Sequence, residues 1–223
     1  MKKHFSIAID GPGGAGKSTL AKAVAKKLNI LHVDTGAIYR TIGYAAFSKG
    51  VDPKDGEAAA ALLPELEIGM RYEADGEQHM LLNGQDVTRE IRLPEISMYA
   101  SAVSALPAVR AFLLEMQRDL ARKHSVIMDG RDIGTVVFPH AQVKIFLTAS
   151  VKERAMRRYK EMLAKGEKVD LAELEKQIAF RDKQDSEREI APLKQADDAE
   201  FLDTSDMTID EVAEHILKAV QEK

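Results

Sequence analysis

Apolar and polar positions along the chain change period at regular intervals. Phe5, Ile7 and Ile9 alternate with Ser6 and Ala8, the period of a strand, and Leu20, Val24 and Leu28 then recur every four residues with Ala21 and Ala25 beside them. The first helix ends near Asn29. Ile30-Leu31-His32-Val33 reads as a short buried strand, and a helix carrying Ile38, Tyr39, Arg40 and Ile42 runs down to Gly50, a residue suited to a left-handed stop. An alanine-rich helix from Glu57 to Leu63 is bounded by Asp55 and Pro64.

The period then shortens. Ile68, Met70 and Tyr72 alternate, Asp75-Gly76 signals a hairpin turn, Met80 and Leu82 alternate again, and Asn83-Gly84 is a second turn before Asp86-Val87. This predicts a small antiparallel meander inserted in a chain of alternating strands and helices. Thr88 is placed to cap a short helical turn, and Pro94 suits the first position of a helix through Ile96, Ala100 and Val103. After Pro107 comes a long helix with Val109, Phe112, Leu113, Met116 and Leu120 on one side. Ser125 to Met128, Val143 to Leu147 and Phe201-Leu202 supply three further strands. Ser150-x-x-Glu153, Asp170-x-x-Glu173 and Thr208-x-x-Glu211 open three further helices, the last with Val212, Ile216 and Val220 inward. The expected fold is α/β: a five-stranded parallel sheet flanked by helices, with an antiparallel β insert.

Composition narrows the setting. A chain of 223 residues, 45% apolar, can bury one substantial core, and one domain with elaborations is expected. There is no cysteine, which excludes disulfides, thiolate metal sites and cysteine nucleophiles. A formal charge of −4 argues against a general nucleic-acid or anionic-membrane binder. Lys2, Lys3 and His4 precede too short an apolar run for a signal peptide, and no stretch reaches the length of a membrane span, so a soluble cytoplasmic protein is expected.

The candidate chemistry lies where strands end. Gly11-Pro12-Gly13-Gly14-Ala15-Gly16-Lys17-Ser18 has the spacing G-x-x-x-x-G-K-S between the first strand and the first helix, where successive backbone N–H groups turn inward around an anion. Lys17 is then expected to reach the β- and γ-phosphates of a nucleoside triphosphate, and Ser18 to ligate Mg²⁺. Asp34-Thr35-Gly36 and Asp129-Gly130-Arg131-Asp132 end two more strands on the side where open α/β sheets place their ligand crevice. Asp129 is a candidate to orient the metal or its waters. Arg40 falls in the first turn of its helix, where it is either solvated or facing an anionic ligand. Ser101 and Arg110 read by position as an ordinary helix hydroxyl and a solvated arginine off the apolar stripe. Arg154, Arg157 and Arg158 share one helix face with Glu161, and Arg181, Asp185 and Arg188 share another. The two helices, joined by a polar turn at Lys165-Gly166, resemble a lid that closes over phosphates. A guanine-reading Asn-Lys-x-Asp segment is absent, and a small phosphotransferase fits better than a motor. A nucleotide-dependent binding module remains the alternative from another class.

Taken together, Gly11 to Thr19, Asp34-Thr35-Gly36-Ala37-Ile38-Tyr39-Arg40 and Asp129 to Pro139 resemble the bacterial cytidylate kinase family, the match covering essentially the whole chain. The resemblance implies a single kinase domain over 1–223 of the P-loop NTPase type, with an acceptor-nucleotide region at about 35–105 and a lid at about 150–190. It implies ATP on Gly11 to Thr19, Mg²⁺ at Ser18, and Arg157 or its neighbours reaching in from the lid. CMP or dCMP would have its phosphate held by Arg40, Arg131 and Arg188, its sugar met by Arg181 and Asp185, and its cytosine read by Ser101, Arg110 and Asp132. Thr35 stands where a serine is also common. Tyr39 either lines this pocket or packs. The protein is expected to work as a monomer on small nucleotides, with no nucleic-acid or membrane partner.

Overall fold

The computed structural model describes residues 4–74, 76–164, 166–205 and 207–222. Asp75 of the expected hairpin turn, Lys165 of the expected lid turn, and Lys2 and Lys3 lie outside the described residues. The chain forms two compact units: one centred on Ile30–Val126, the other made of Phe5–Asn29 and the chain from Ile127 onward.

With elements numbered along the chain, the second unit starts with strand β1 (Ser6–Asp10), where Ile7, Ala8 and Ile9 are fully buried, as a central parallel strand requires. Helix α1 (Lys17–Leu28) buries Leu20, Ala21, Val24 and Ala25 and stops at Asn29 in the left-handed conformation. Strand β6 (Val126–Gly130) leads into a single π-helical turn, Ile133–Val137, which the sequence pattern does not announce. Strand β7 (Val143–Thr148) pairs in parallel with β1, and β8 (Glu200–Asp203) with β7. Helices α6 (Val151–Ala164), α7 (Leu171–Glu187) and α8 (Ile209–Gln221) each begin at the cap expected. Glu153 N–H donates to Ser150 Oγ, Glu173 N–H to Asp170, and Thr208 with Glu211 forms a reciprocal box. On α8, Val212 and Ile216 are buried, but Val220 is only partly so.

The first unit contains β2 (Leu31–Asp34) and α2 (Thr35–Ser48), whose N-cap Asp34 accepts from Ala37 N–H at 3.0 Å. Helix α3 (Gly56–Leu62) ends just before Pro64, as expected, and passes directly into a 3₁₀ turn, Leu63–Glu65. The meander is present as an antiparallel sheet of β3 (Ile68–Tyr72), β4 (Gln78–Leu82) and β5 (Gln85–Asp86), with Asn83 and Gly84 both at positive φ in its second turn. Thr88 does not cap the 3₁₀ turn Glu90–Arg92; its Oγ1 accepts from Met80 N–H at 2.9 Å and so belongs to the sheet. Helices α4 (Pro94–Val103) and α5 (Pro107–Lys123) follow, each with proline in its first turn. Helix α2 packs against α4 at Gly43, where a Cβ would stand 2.8 Å from the Ala100 nitrogen, so only glycine permits the approach.

The parallel sheet has the strand order β2-β6-β1-β7-β8, and residues 11–18 and 129–132 fall at the carboxyl ends of β1 and β6. Among the described residues no single helix is long and apolar enough to cross a membrane.

Candidate active site

The loop from Gly11 to Gly16 leaves β1 and enters α1 with its backbone pressed against neighbouring strand β7. A Cβ on Gly11, whose φ is 147°, would stand 1.9 Å from the carbonyl oxygen of Leu147, so no side chain fits there. Lys17 is the first residue of α1 and is buried; its Nζ donates to the Pro12 carbonyl at 2.8 Å, folding the loop around the ammonium group. Burial, reinforced by the positive charge of Arg131, lowers the Lys17 pKa to about 7 against the opposing pull of Asp129 and Asp10. A polyanion placed in the loop reverses that balance. Ser18, one residue on, donates from Oγ to Oδ2 of buried Asp129 at 2.7 Å, which brings together a hydroxyl and a carboxylate that stand far apart in the sequence. This pair of hard oxygen donors fits Mg²⁺, which takes few protein ligands and completes its shell with phosphate and water. Among the described residues no group of three or more acidic, histidine or cysteine side chains forms a protein-only metal cage.

Beyond Asp129 the chain turns sharply. Asp10, which carries no more signal in the sequence than the polar end of β1, is buried and accepts from the N–H groups of Ile133 and Gly134, each at 2.7 Å. Its burial raises the carboxyl pKa to about 6 even though those two N–H donors pull the other way. No sequence signal marks this role, because the partners are backbone groups more than 120 residues away. Arg131 donates from Nε to Asp185 Oδ2 at 2.8 Å, and Arg188 from Nη2 to Asp132 Oδ1 at 3.4 Å. Burial pushes the Asp185 carboxyl up, but Arg131, Arg181 and Arg188 outweigh it and hold it below the ordinary value. Arg131, Asp132, Arg181, Asp185 and Arg188 are thus one charge cluster in the second unit. Arg188 is not on α7, in contrast to what its spacing suggests. The helix ends at Glu187, and Arg188 is extended, its Nε bonded to the Ala191 carbonyl at 2.6 Å, with Ala191 itself at positive φ.

The three arginines of α6 separate into two roles. Arg154 is 3% exposed, although its helix face also carries the more exposed Arg157 and Arg158. It donates to the carbonyls of Ala149 (2.8 Å) and of Gly13 in the phosphate loop (2.9 Å), and pairs with Asp182 on α7. All three arginines line a cavity of about 530 Å³ together with residues 14–20 of the loop and helix α1, but Arg157 and Arg158 are less buried than Arg154. Arg157 also donates to the Thr204 carbonyl at 3.5 Å. Glu161 lines the same cavity, as do the apolar Leu147, Met207, Ile209 and Val212. A space lined by both cationic and aliphatic side chains beside this loop suits a nucleotide, which carries phosphates and a base.

The remaining candidates fall in the first unit. Thr35 is the buried first residue of α2, and Tyr39 and Arg40 follow on the same helix, half-buried. Arg40 is the sixth residue of α2 and so lies beyond the first turn; its Nη1 folds back to 3.6 Å from where a Cβ on Gly36 would stand. Arg110 is buried, contrary to the solvated reading. It donates to the Ser104 carbonyl at 3.1 Å, and its guanidinium carbon lies 5.6 Å from the centroid of the Tyr39 ring, within cation–π range. Ser101 is half-buried on α4, its carbonyl accepting from Ser104 Oγ at 2.8 Å. Gln78, which no motif singles out, is buried and accepts from Asp34 N–H at 2.8 Å, tying β4 of the insert to the start of α2.

Comparison with known proteins shows the family. The family model for cytidylate kinase matches residues 7–222. A cytidylate kinase of Bacillus licheniformis is 52% identical over 223 residues, covering 100% of this chain and 99% of its own, and that of Bacillus subtilis is 51% identical with the same coverage. A crystal structure of an uncharacterized protein from Eubacterium ventriosum superposes with a TM-score of 0.52 at 14% identity, covering 99% of this chain and all of its own, a likeness of fold alone. With a family model spanning nearly every residue and full-length relatives at half identity, this chain belongs to the cytidylate kinase family.

Proposed function

We infer that the protein transfers the γ-phosphoryl group of ATP to CMP or dCMP, giving ADP and CDP or dCDP, and that the side chains above divide the work as follows. The loop Gly11 to Thr19 holds the triphosphate, with Lys17 against the β- and γ-phosphates, and the aliphatic wall of Leu147, Met207 and Val212 receives the adenine. Ser18 and Asp129 would hold Mg²⁺, which would supply charge neutralisation to the phosphates. Arg131, Arg188 and Arg40 hold the acceptor phosphate, Arg181 and Asp185 meet the sugar, and Ser101, Arg110 and Asp132 read cytosine, with Thr35 and Tyr39 beside them. Arg157 supplies positive charge to the transferring group from α6.

No general base is needed, because the acceptor phosphate is already an anion at neutral pH. Catalysis then rests on alignment and on charge neutralisation by fixed cations. These cations have carboxylate partners, Arg131 with Asp185 and Arg188 with Asp132. An incoming phosphate exchanges one anionic partner for another, so the arginines are held near their working positions at little cost in ordering. We assign residues 1–223 to one kinase domain, with an acceptor region at about 35–105 and a lid at about 150–190, acting as a cytoplasmic monomer in pyrimidine nucleotide metabolism without nucleic-acid or membrane partners.

One observation carries this reading: the family match runs from residue 7 to residue 222, so the phosphate loop, the turn at residues 129–132 and the arginines of α6 and α7 all fall inside it. A coupled assay of ADP release tests it. Stoichiometric release that depends on CMP or dCMP is expected; slow hydrolysis indifferent to CMP would mark a nucleotide-dependent switch instead.

A further inference from the structure

We propose that Asp10 is a positioning residue for acceptor recognition, its buried carboxylate locking the turn at Arg131 and Asp132 to the first residue of the phosphate loop. This rests on the assignment of Arg131 and Asp132 to the acceptor nucleotide. Asp10 is the last residue of β1 and directly precedes Gly11, so its Cα moves with the donor loop. Its two oxygens are divided between two consecutive backbone donors, Oδ1 with Ile133 N–H and Oδ2 with Gly134 N–H, both at 2.7 Å. Those amides immediately follow Asp132, whose own backbone is irregular at φ −145° and ψ 27°. Asp132 therefore takes its orientation from bonds made one and two residues further on, and Arg131 takes its own from the same anchored turn.

The side chain has to be an aspartate for this. Only an ionised carboxylate offers acceptors at both oxygens; an amide turns a donor toward one of the two N–H groups. The charged groups facing it are Asp132 from the turn itself and Lys17 from α1. Lys144 of β7 passes its stem along Gly134, with its ammonium engaged by Pro139 O and Asp198. Asp10 is thus buried, with both oxygens taken up by the turn, and acts through that turn.

The test is Asp10→Asn in the full chain, beside Asp132→Asn as reference. Amide exchange of Ile133 and Gly134 should accelerate by at least about tenfold relative to β7, the scale of a lost hydrogen bond to a charged acceptor. The KM for CMP should rise more than the KM for ATP, and the ratio of kcat/KM for CMP over UMP should narrow at least about threefold, part of the discrimination of one base-edge contact. Unchanged exchange at both amides in folded Asp10→Asn overturns the proposal. So does a fall in activity that leaves the CMP to UMP ratio and the two KM values in proportion, which is what a general structural role gives. If Asp132→Asn itself leaves the ratio unchanged, the base-reading assignment has failed, and exchange with the KM split alone decides the role of Asp10. Should Asp10→Asn not fold, Gly134→Ala loosens the same contact from the other side, since its Cβ would stand 3.2 Å from Asp10 Oδ2, and is held to the same outcomes.

Discussion

Ser18 Oγ and Asp129 Oδ2 are 2.7 Å apart, joined by a hydrogen bond that spans 111 positions of sequence. The hydroxyl lies at the start of α1 and the carboxylate near the end of β6, and these are the two oxygens proposed to hold Mg²⁺. Asp129→Asn keeps the size and one acceptor but removes the charge. The Mg²⁺ concentration giving half-maximal activity should rise by about 10- to 100-fold, the usual effect of losing a group that orients or supports a metal ligand. A titration of activity with Mg²⁺ at fixed ATP checks this, and an unchanged requirement would limit Asp129 to a structural bond with Ser18.

Burial and the neighbouring charge of Arg131 depress the proton affinity of Lys17. With its pKa at about 7 in the free protein, it is mostly neutral at about pH 8, and the charge of a bound triphosphate raises it again. ATP binding at about pH 8 should therefore take up protons, approaching one per site. Calorimetry in two buffers of different ionisation enthalpy reads the uptake directly, and Lys17→Met should abolish it. The same variant should lower kcat and kcat/KM together by about 10²- to 10³-fold, the loss expected for one fixed transition-state donor.

Asp10 imposes a pH dependence on stability. Its carboxyl ionises at about pH 6 when folded and near 3.8 in the open chain, so between these values the folded state binds more protons than the unfolded one. The contribution is complete below pH 3.8 and is lost as pH rises through about 6. Carboxylates held low, such as Asp185, slope the other way, so the comparison is between wild type and Asp10→Asn. Urea unfolding at about pH 4, 5 and 6.5 should show wild type losing ground to the variant as pH rises.

Arg154 and Arg157, three residues apart on α6, should respond in opposite ways to removal. Arg154 is buried and bonded to Gly13 O and Asp182, so Arg154→Ala should cost about 3 kcal/mol of stability, as breaking one side of a buried pair does. Arg157 lines the cavity beside the loop, where its bond to the Thr204 carbonyl is long at 3.5 Å, so Arg157→Ala should leave Tm within a few degrees while lowering kcat. Thermal melts and steady-state rates on both variants separate the roles; equal loss of Tm would place Arg157 in the structural group.

Arg110 should matter for the choice of nucleotide more than for the donor. Arg110→Met retains the bulk packed by Tyr39 and removes the charge. The KM for CMP should rise by at least about tenfold, one base-edge contact, with the KM for ATP nearly unchanged, and the preference for CMP over UMP should shrink. Equal effects on both substrates would show that Arg110 is a packing residue of the first unit.

The sequence by itself determined the elements and most of the residue types that carry the chemistry. Strand and helix periods are local, the caps at Ser150, Asp170 and Thr208 use partners three residues away, and the loop from Gly11 to Ser18 is contiguous, so each is legible in a short window. The full-length resemblance added roles that spacing alone left open for Ser101, Arg110 and Asp132. What only the tertiary structure decided was burial and pairing between distant segments. Arg154 and Arg158 lie on one helix face by their spacing, yet one is buried against Gly13 and Asp182 and the other is exposed beside the cavity. Arg110 stands off the apolar stripe of α5 and is buried all the same, because the Ser104 carbonyl and the Tyr39 ring take its charge. Asp10 reads as the polar end of a strand, and its partners are backbone N–H groups that carry no sequence identity at all. A side chain's environment is set by segments far away along the chain, and periodicity reports only on neighbours a few residues off.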